Sequence, residues 1–428
     1  MSPRVRLSRL KLLALAACAF SALANPAAGQ SAVPLDAGPG PRFRADGPDA
    51  DARGRAEGYP ICTRANWFMD KWCLVGALSG FDQLYPARII VAPKASARLG
   101  RAPSEPGIGY TFAGQNLTLE QYLDRHPVTG FLIAKGDTIL IERYQYGRNG
   151  SHRLASFSMA KTIVALLIGI AVKEGAIRSI DDLAEVYVPG LKGTEYGLTP
   201  IKALLQMSSG VLFRERYTDP VSDIWILVGL TLGQDPGGSL AAVKRFNTRL
   251  VPPSQRFSYA SVETVVLGLV LAHATNQSVS DYTREKLWQP IGAEADASWV
   301  LDATGQEITF AYFNAVLRDW ARLGLMLAHD GTWQGKSIVP REWLVASTTI
   351  ASADMHLRLG TPWSGYGYQT WIVQDPRRMF ALRGYFGQLV IVDPESKLVL
   401  VQTAARPGND DFADQELLAL WDAAVAMQ

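Results

Sequence analysis

Histidine and cysteine are scarce in this chain, five and three among 428 residues. No histidine stands at ligand spacing from a cysteine or another histidine, so there is no sign of a metal site and no cofactor is expected. Charge of one sign is lacking as well: 42 lysines and arginines face 40 acidic residues, and part of the basic excess sits in the first eleven positions. Such a balance gives no electrostatic reason to expect nucleic acid as a partner. No internal repeat is visible. The apolar run from Leu12 to Leu23 is too short to span a bilayer comfortably. What remains is a chain 48% hydrophobic and 19% charged, an ordinary globular composition at a length that suits one large domain or two interleaved ones.

The short apolar run reads as a leader. Arg4, Arg6, Arg9 and Lys11 precede it and Ala22-Leu23-Ala24 closes it in a small-x-small pattern, which predicts a signal peptide over 1–24. A second cut competes: Leu15-Ala16-Ala17-Cys18 resembles a lipobox, and lipidation of Cys18 would make a membrane the anchor of the mature protein. Under either cut the expected location is periplasmic or secreted. In an oxidising compartment the remaining cysteines, Cys62 and Cys73, are expected to pair as a disulfide. Residues 25–58 are rich in Pro, Gly, Ala, Asp and Arg with almost no large apolar side chains. They are expected to form a flexible linker, with order beginning near Tyr59.

Beyond it the pattern changes three times. Thr129 to Tyr146 alternates around Gly136-Asp137, predicting a β-hairpin. Ser158 to Glu174 carries Ile163, Leu166, Leu167 and Ile170 at helical spacing, and a further helix is predicted from Thr199-Pro200 to Gly210. Mostly helical text continues to about Trp299. Short apolar runs then return at Tyr366–Val373, Met379–Leu382, Gln388–Val392 and Leu398–Thr403, before a closing helix over Asp414–Ala426. This order predicts an α+β fold: an antiparallel sheet flanked by helices, with an inserted mainly helical domain. The expected division is 59–165 with 300–428 as the α/β domain and 166–299 as the helical one, with an active site in the cleft between them.

Ser158-Met159-Ala160-Lys161 opens the long apolar helix. Three residues of separation place Ser158 and Lys161 on one face, and a lysine kept neutral by burial can activate a serine hydroxyl. The spacing alone is a weak signal. A hundred residues on, Phe257-Ser258-Tyr259-Ala260-Ser261 offers a phenol for proton relay and a hydroxyl, that of Ser261, able to bond substrate or Lys161. Gly384, within Arg383-Gly384-Tyr385-Phe386-Gly387-Gln388, lets a ligand approach the backbone so that a peptide N–H can meet an oxyanion.

These elements in this order resemble the serine β-lactamase and penicillin-binding superfamily, from about residue 110 to the end. Leu204-Leu205-Gln206-Met207-Ser208-Ser209-Gly210 and Tyr366-Gly367-Tyr368-Gln369-Thr370-Trp371 are similar to stretches of its class C-like members. Within that group the chain looks most like the 6-aminohexanoate-dimer hydrolase type, amidases for linear ω-amino-acid oligomers. The resemblance implies Ser158 as acylated nucleophile, Lys161 as its base and Tyr259 as proton relay. It also implies an oxyanion hole from the backbone N–H groups of Ser158 and Tyr385. Tyr217 would be a loop tyrosine closing over the substrate, with Ser261, Gly384 and Gln388 in substrate contact. The implied partner is a small-molecule amide or ester.

One departure is informative. Where penicillin-binding members place Lys or His two residues before the strand glycine, this chain has Leu382, which argues against strong β-lactam or D-Ala-D-Ala cleavage. Arg383 is a candidate replacement for that cation. A peptidoglycan-directed peptidase or β-lactamase is thus the second expectation. A non-catalytic binding or sensor module on the same fold is the third.

Overall fold

The computed structural model describes residues 43–360 and 362–427. The predicted leader, Cys18 and the first part of the linker lie outside the described residues. The main sheet has eight strands: β1 Gly100–Arg101, β2 Val128–Lys135, β3 Thr138–Tyr144, β4 Trp363–Tyr366, β5 Trp371–Val373, β6 Phe380–Gly384, β7 Gln388–Asp393 and β8 Leu398–Ala404. Their order is β4-β5-β6-β7-β8-β2-β3-β1. Neighbours run antiparallel except β1 and β3, which are parallel. The early hairpin joins the late meander where β8 pairs with β2, Val401 opposite Leu132.

Side-chain alternation explains why the sheet is buried on both faces. Val390, Val392, Val399 and Val401 enter one core, while Leu389, Ile391, Leu398 and Leu400 enter another. Strands covered on both faces read as continuous apolar runs, as these do. The helices of eight residues or more, among the described residues, are α1 Lys71–Leu78, α2 Ala160–Lys173, α3 Asp223–Thr231, α4 Ser261–Thr275, α5 Leu317–Ala328 and α6 Asp411–Ala426. Helix α5 packs on β2, β7 and β8, and α6 sends Leu417, Leu420 and Trp421 into the second core.

Helix α2 is buried at every position from Ala160 to Ala171, the mark of a helix enclosed on all sides. Gly169 makes room for Trp343, whose indole would meet an added Cβ at 2.4 Å and whose N–H donates to the Ala165 carbonyl at 3.0 Å. The expected boundary at 165/166 falls inside this helix, and residues 41–428 group as one compact unit.

Three expectations need correction. The helix predicted to run to Gly210 spans only Ile201–Leu205, with Pro200 rather than Thr199 at its N-cap. The chain leaves helical geometry at Met207 (φ 51°) and again at Gly210 (φ 75°), where an added Cβ would lie 2.0 Å from the Val251 carbonyl oxygen. The run Tyr366–Val373 is a reversal rather than one strand: the Gly367 N–H donates to the Thr370 carbonyl at 2.8 Å between β4 and β5.

The third correction concerns residues 43–58, expected within the flexible linker. They form 3-10 turns at Ala50–Arg53 and Arg55–Glu57. Arg53 is buried and donates to the Ala405 carbonyl at 2.7 Å, while Gly47 lies against the Tyr146 ring. A segment held by one buried arginine and a glycine fitted to a neighbour's ring has no apolar signature of its own. A second, four-stranded sheet of Ala87–Ile90, Ala297–Val300, Phe313–Ala315 and Leu154–Ala155 also escaped the sequence reading, because strands of two to four residues show no periodicity. Among the described residues no helix is long and apolar enough to cross a membrane.

Candidate active site

Ser158 sits in a single 3-10 turn, Phe157–Met159, that leads from the small sheet into α2. Phe157 adopts a left-handed φ of 45°, an uncommon conformation for a bulky residue and one that surrounding structure must hold. One turn on, the Lys161 amine donates to Ser158 Oγ at 2.9 Å and to the Phe310 carbonyl at 2.7 Å. Lys161 is 1% exposed. Burial drives its pKa down to about 7, against the pull of the Glu215 charge in the other direction. Desolvation penalises an ammonium far more than a neutral amine, so a buried lysine becomes a base near neutrality.

Tyr259 arrives from the loop before α4. Its place is set by Met207, whose carbonyl accepts from Ser258 N at 2.8 Å and whose Sδ accepts from Ala260 N at 3.4 Å. The Tyr259 ring centroid is 5.3 Å from Lys161 Nζ. Burial and the Glu215 charge push the phenol above its usual pKa, and a hydrogen bond with Ser158 works against them. Hydroxyl and amine from one helical turn thus meet a phenol from a stretch a hundred residues on.

That point opens into a cavity of about 120 Å³ lined by Ser158, Tyr217, Tyr259, Trp371, Arg383, Gly384, Tyr385 and Asn409. Larger depressions exist, including one of about 660 Å³ around Arg44–Arg55, but none of the residues lining that one is a serine or a lysine. Gly384 is required by close approach: an added Cβ would be 2.2 Å from the Ser156 carbonyl oxygen. Its absence of a side chain therefore admits the nucleophile turn as well as exposing the cavity floor. Tyr385 begins a 3-10 turn, Tyr385–Gly387, and its ring lies 4.6 Å from that of Tyr217.

Two residues expected at the substrate lie elsewhere. Ser261 is buried and gives its N–H to Glu215 Oε2 at 2.6 Å and its hydroxyl to Glu215 Oε1 at 2.8 Å, so it bonds neither Lys161 nor the cavity. Gln388 is buried on β7, donating to the Ala404 carbonyl at 2.7 Å and accepting from Ala404 N at 3.2 Å. A buried amide placed opposite a strand terminus finds backbone partners first. Arg383 does line the cavity, but its guanidinium is held by Asp414 at 2.8 Å and Asp411 at 3.0 Å and lies over Trp363 and Trp371. Leu382 is fully buried in the core.

The residue that sequence reading missed is Glu215. It accepts from Ser261 and from the Tyr217 hydroxyl, and its charge acts on Lys161, Tyr217 and Tyr259 together. Flanked by Arg214 and Arg216 in an exposed-looking run, it carried no signal in the text. Among the described residues no group of histidine, cysteine or carboxylate side chains could hold a metal ion.

A buried lysine beside a half-buried serine and tyrosine, between an antiparallel sheet and a helical block, defines the β-lactamase-like class of hydrolases. Comparison with known proteins agrees. A family model described as beta-lactamase matches residues 117–424. The chain is 27% identical over 366 residues to the 6-aminohexanoate-dimer hydrolase of Paenarthrobacter ureafaciens, covering 82% of this chain and 91% of that one. A solved structure from Bacillus anthracis, provisionally assigned as a 6-aminohexanoate-dimer hydrolase, superposes with a TM-score of 0.75 at 23% identity, over 85% of this chain and 95% of its own. A penicillin-binding protein from Bacillus halodurans gives a TM-score of 0.56 at 18% identity, over 72% and 99%. The chain belongs to the β-lactamase family, as a β-lactamase-like hydrolase.

Proposed function

We propose that the protein is an exported serine hydrolase that cleaves an amide or ester of a small linear acid through an acyl-enzyme on Ser158, in the manner of a 6-aminohexanoate-dimer hydrolase. The observation that carries this reading is the 2.9 Å contact between Ser158 and a fully buried lysine whose pKa burial brings to about 7. Neutral Lys161 takes the Ser158 proton as Oγ attacks the carbonyl carbon. The carbonyl oxygen, now negative, is met by the backbone N–H groups of Ser158 and Tyr385. The amine or alcohol departs with a proton from Lys161 or through Tyr259. Water, losing a proton to the same base, then attacks the acyl carbon and regenerates the Ser158 hydroxyl.

The state of Arg383 bears on substrate choice. With Asp411 and Asp414 both on its guanidinium, and Leu382 buried, the cation that would greet a substrate carboxylate beside the strand glycine is already neutralised. That disfavours β-lactams and D-Ala-D-Ala peptides, while aromatic walls from Tyr217, Trp371 and Tyr385 suit an alkyl chain. The test is covalent labelling by a fluorophosphonate probe. Ser158→Ala is expected to abolish labelling and ester turnover without loss of fold, and labelling that persists at another residue counts against the mechanism. Intact mass of the secreted protein reads the leader cut in the same experiment.

A further inference from the structure

We infer that the loop closed by the Cys62–Cys73 disulfide backs the active site, packing behind Tyr385 rather than lining the cavity, and that Phe68 is a positioning residue that holds the Tyr385 turn in register with Ser158. This rests on the reading of Tyr385 as oxyanion donor. The loop precedes residue 117, where the family match begins. It is tightly built: the Thr63 N–H donates to the Asn66 side chain at 3.0 Å, Asp70 caps α1 by accepting from Trp72 N at 2.9 Å, and Cys73, in α1, joins Cys62.

Two of its three aromatic residues, Trp67 and Phe68, pack against the catalytic turns. Trp67 is 4% exposed and anchored through its indole N–H to the Tyr85 hydroxyl at 3.0 Å, with its ring 6.4 Å from Phe157 and 6.3 Å from Phe386. Phe68 stacks on Tyr385 at 6.3 Å with an interplanar angle of 11°. The same ring meets Trp225 of α3 edge-on at 5.0 Å. Trp225 lies 6.1 Å from Tyr217, and Tyr217 4.6 Å from Tyr385. Phe68, Tyr385, Tyr217 and Trp225 therefore form a closed circuit of rings, three from the hydrolase fold and one from the disulfide loop.

Backbone conformation supplies the reason such a brace is needed. Phe386, next to Tyr385, has a left-handed φ of 64°, which a bulky side chain adopts only when its surroundings enforce it. Trp67, Phe68 and Phe157 all pack on that ring. Remove the loop's contribution and the Tyr385 peptide is free to rotate away from the reacting carbonyl. Loss of a single oxyanion donor typically costs about 10²–10³ in kcat, so partial misplacement is expected to cost about tenfold or more.

The experiment uses the full chain and p-nitrophenyl esters of short acids. Phe68→Ala is expected to lower kcat about tenfold with KM within twofold, and Phe68→Tyr, which keeps the ring, to restore it. The Cys62→Ser, Cys73→Ser pair is expected to follow Phe68→Ala in kcat. Should that pair fail to fold, Phe68→Ala alone decides. Wild-type kcat in Phe68→Ala overturns the inference, as does a loss that Phe68→Tyr does not rescue at equal thermal stability. Ester turnover that survives Ser158→Ala sinks the acyl-enzyme reading instead, so the two failures are separable.

Discussion

Two buried cations, both in the first two turns of a helix, have opposite surroundings. Arg322 of α5 is 2% exposed and carries a full set of partners: Asp319 at 2.8 Å, Glu294 at 2.8 Å and the Ala97 carbonyl at 2.8 Å. Lys161 of α2 is just as buried, yet its amine meets a hydroxyl and a carbonyl, and the nearby Glu215 acts on it only through charge. The first arrangement ties three chain segments together as a structural clamp. The second leaves the charge uncompensated, and it is relieved by giving up a proton. Buried charge signals chemistry when the fold withholds the counter-ion, and architecture when it provides one.

Substitutions at the two sites should separate these roles. Lys161→Met is expected to lower turnover by about 10²–10⁴ while leaving thermal stability equal or higher, because an amine that is costly to bury is gone. Arg322→Met should do the reverse: it strands the fully buried Asp319, costs about 3–5 kcal/mol in unfolding free energy, and leaves kcat per folded molecule unchanged. Denaturant melts and active-site titration read both quantities. Equal stability losses in the two variants would erase the distinction.

The next effect is on pH dependence. Because Lys161 works as the neutral amine, kcat/KM should climb as pH rises through about 7 and level off above it. Glu215 raises that pKa, so Glu215→Gln should move the limb toward acid, and a limb that stays in place would remove Glu215 from the electrostatics of the site.

The smallest effect belongs to a third buried group. Burial raises Glu263 to about 8 from an ordinary 4.5, with a Ser209 hydrogen bond opposing. A carboxyl so raised favours the fold while protonated, and that contribution is lost as pH climbs from its unfolded pKa through about 8. Glu263→Gln should therefore flatten the fall in thermal midpoint between pH 5 and 9. A fall as steep as in the parent would show that Glu263 does not titrate there.

How much of this was legible beforehand differs by element. The hairpin, β6 to β8 and α2 announced themselves because each is enclosed enough to be written as an apolar run of several residues. The helix predicted to Gly210 failed because apolar content persisted after the backbone had turned at Met207, and nothing in side-chain pattern reports φ. Ser158, Lys161 and Tyr259 were expected from the order of three motifs and the family they resemble, since the three-residue spacing alone is a weak signal. Ser261 and Gln388 were misread because a polar side chain beside a motif is equally suited to bonding its own scaffold, and here Glu215 and Ala404 were nearer.

By itself the sequence determined the sheet-and-helix order, the family resemblance and the serine–lysine pair, since local period and a three-residue spacing survive without knowledge of the fold. Only the tertiary structure decided that Lys161 is buried with a hydroxyl and a carbonyl on its amine, that Arg383 is already paired, and that the disulfide loop lays Phe68 on Tyr385. Those properties depend on which groups from distant segments arrive at the same few ångströms, and desolvation and pairing exist only after that arrival.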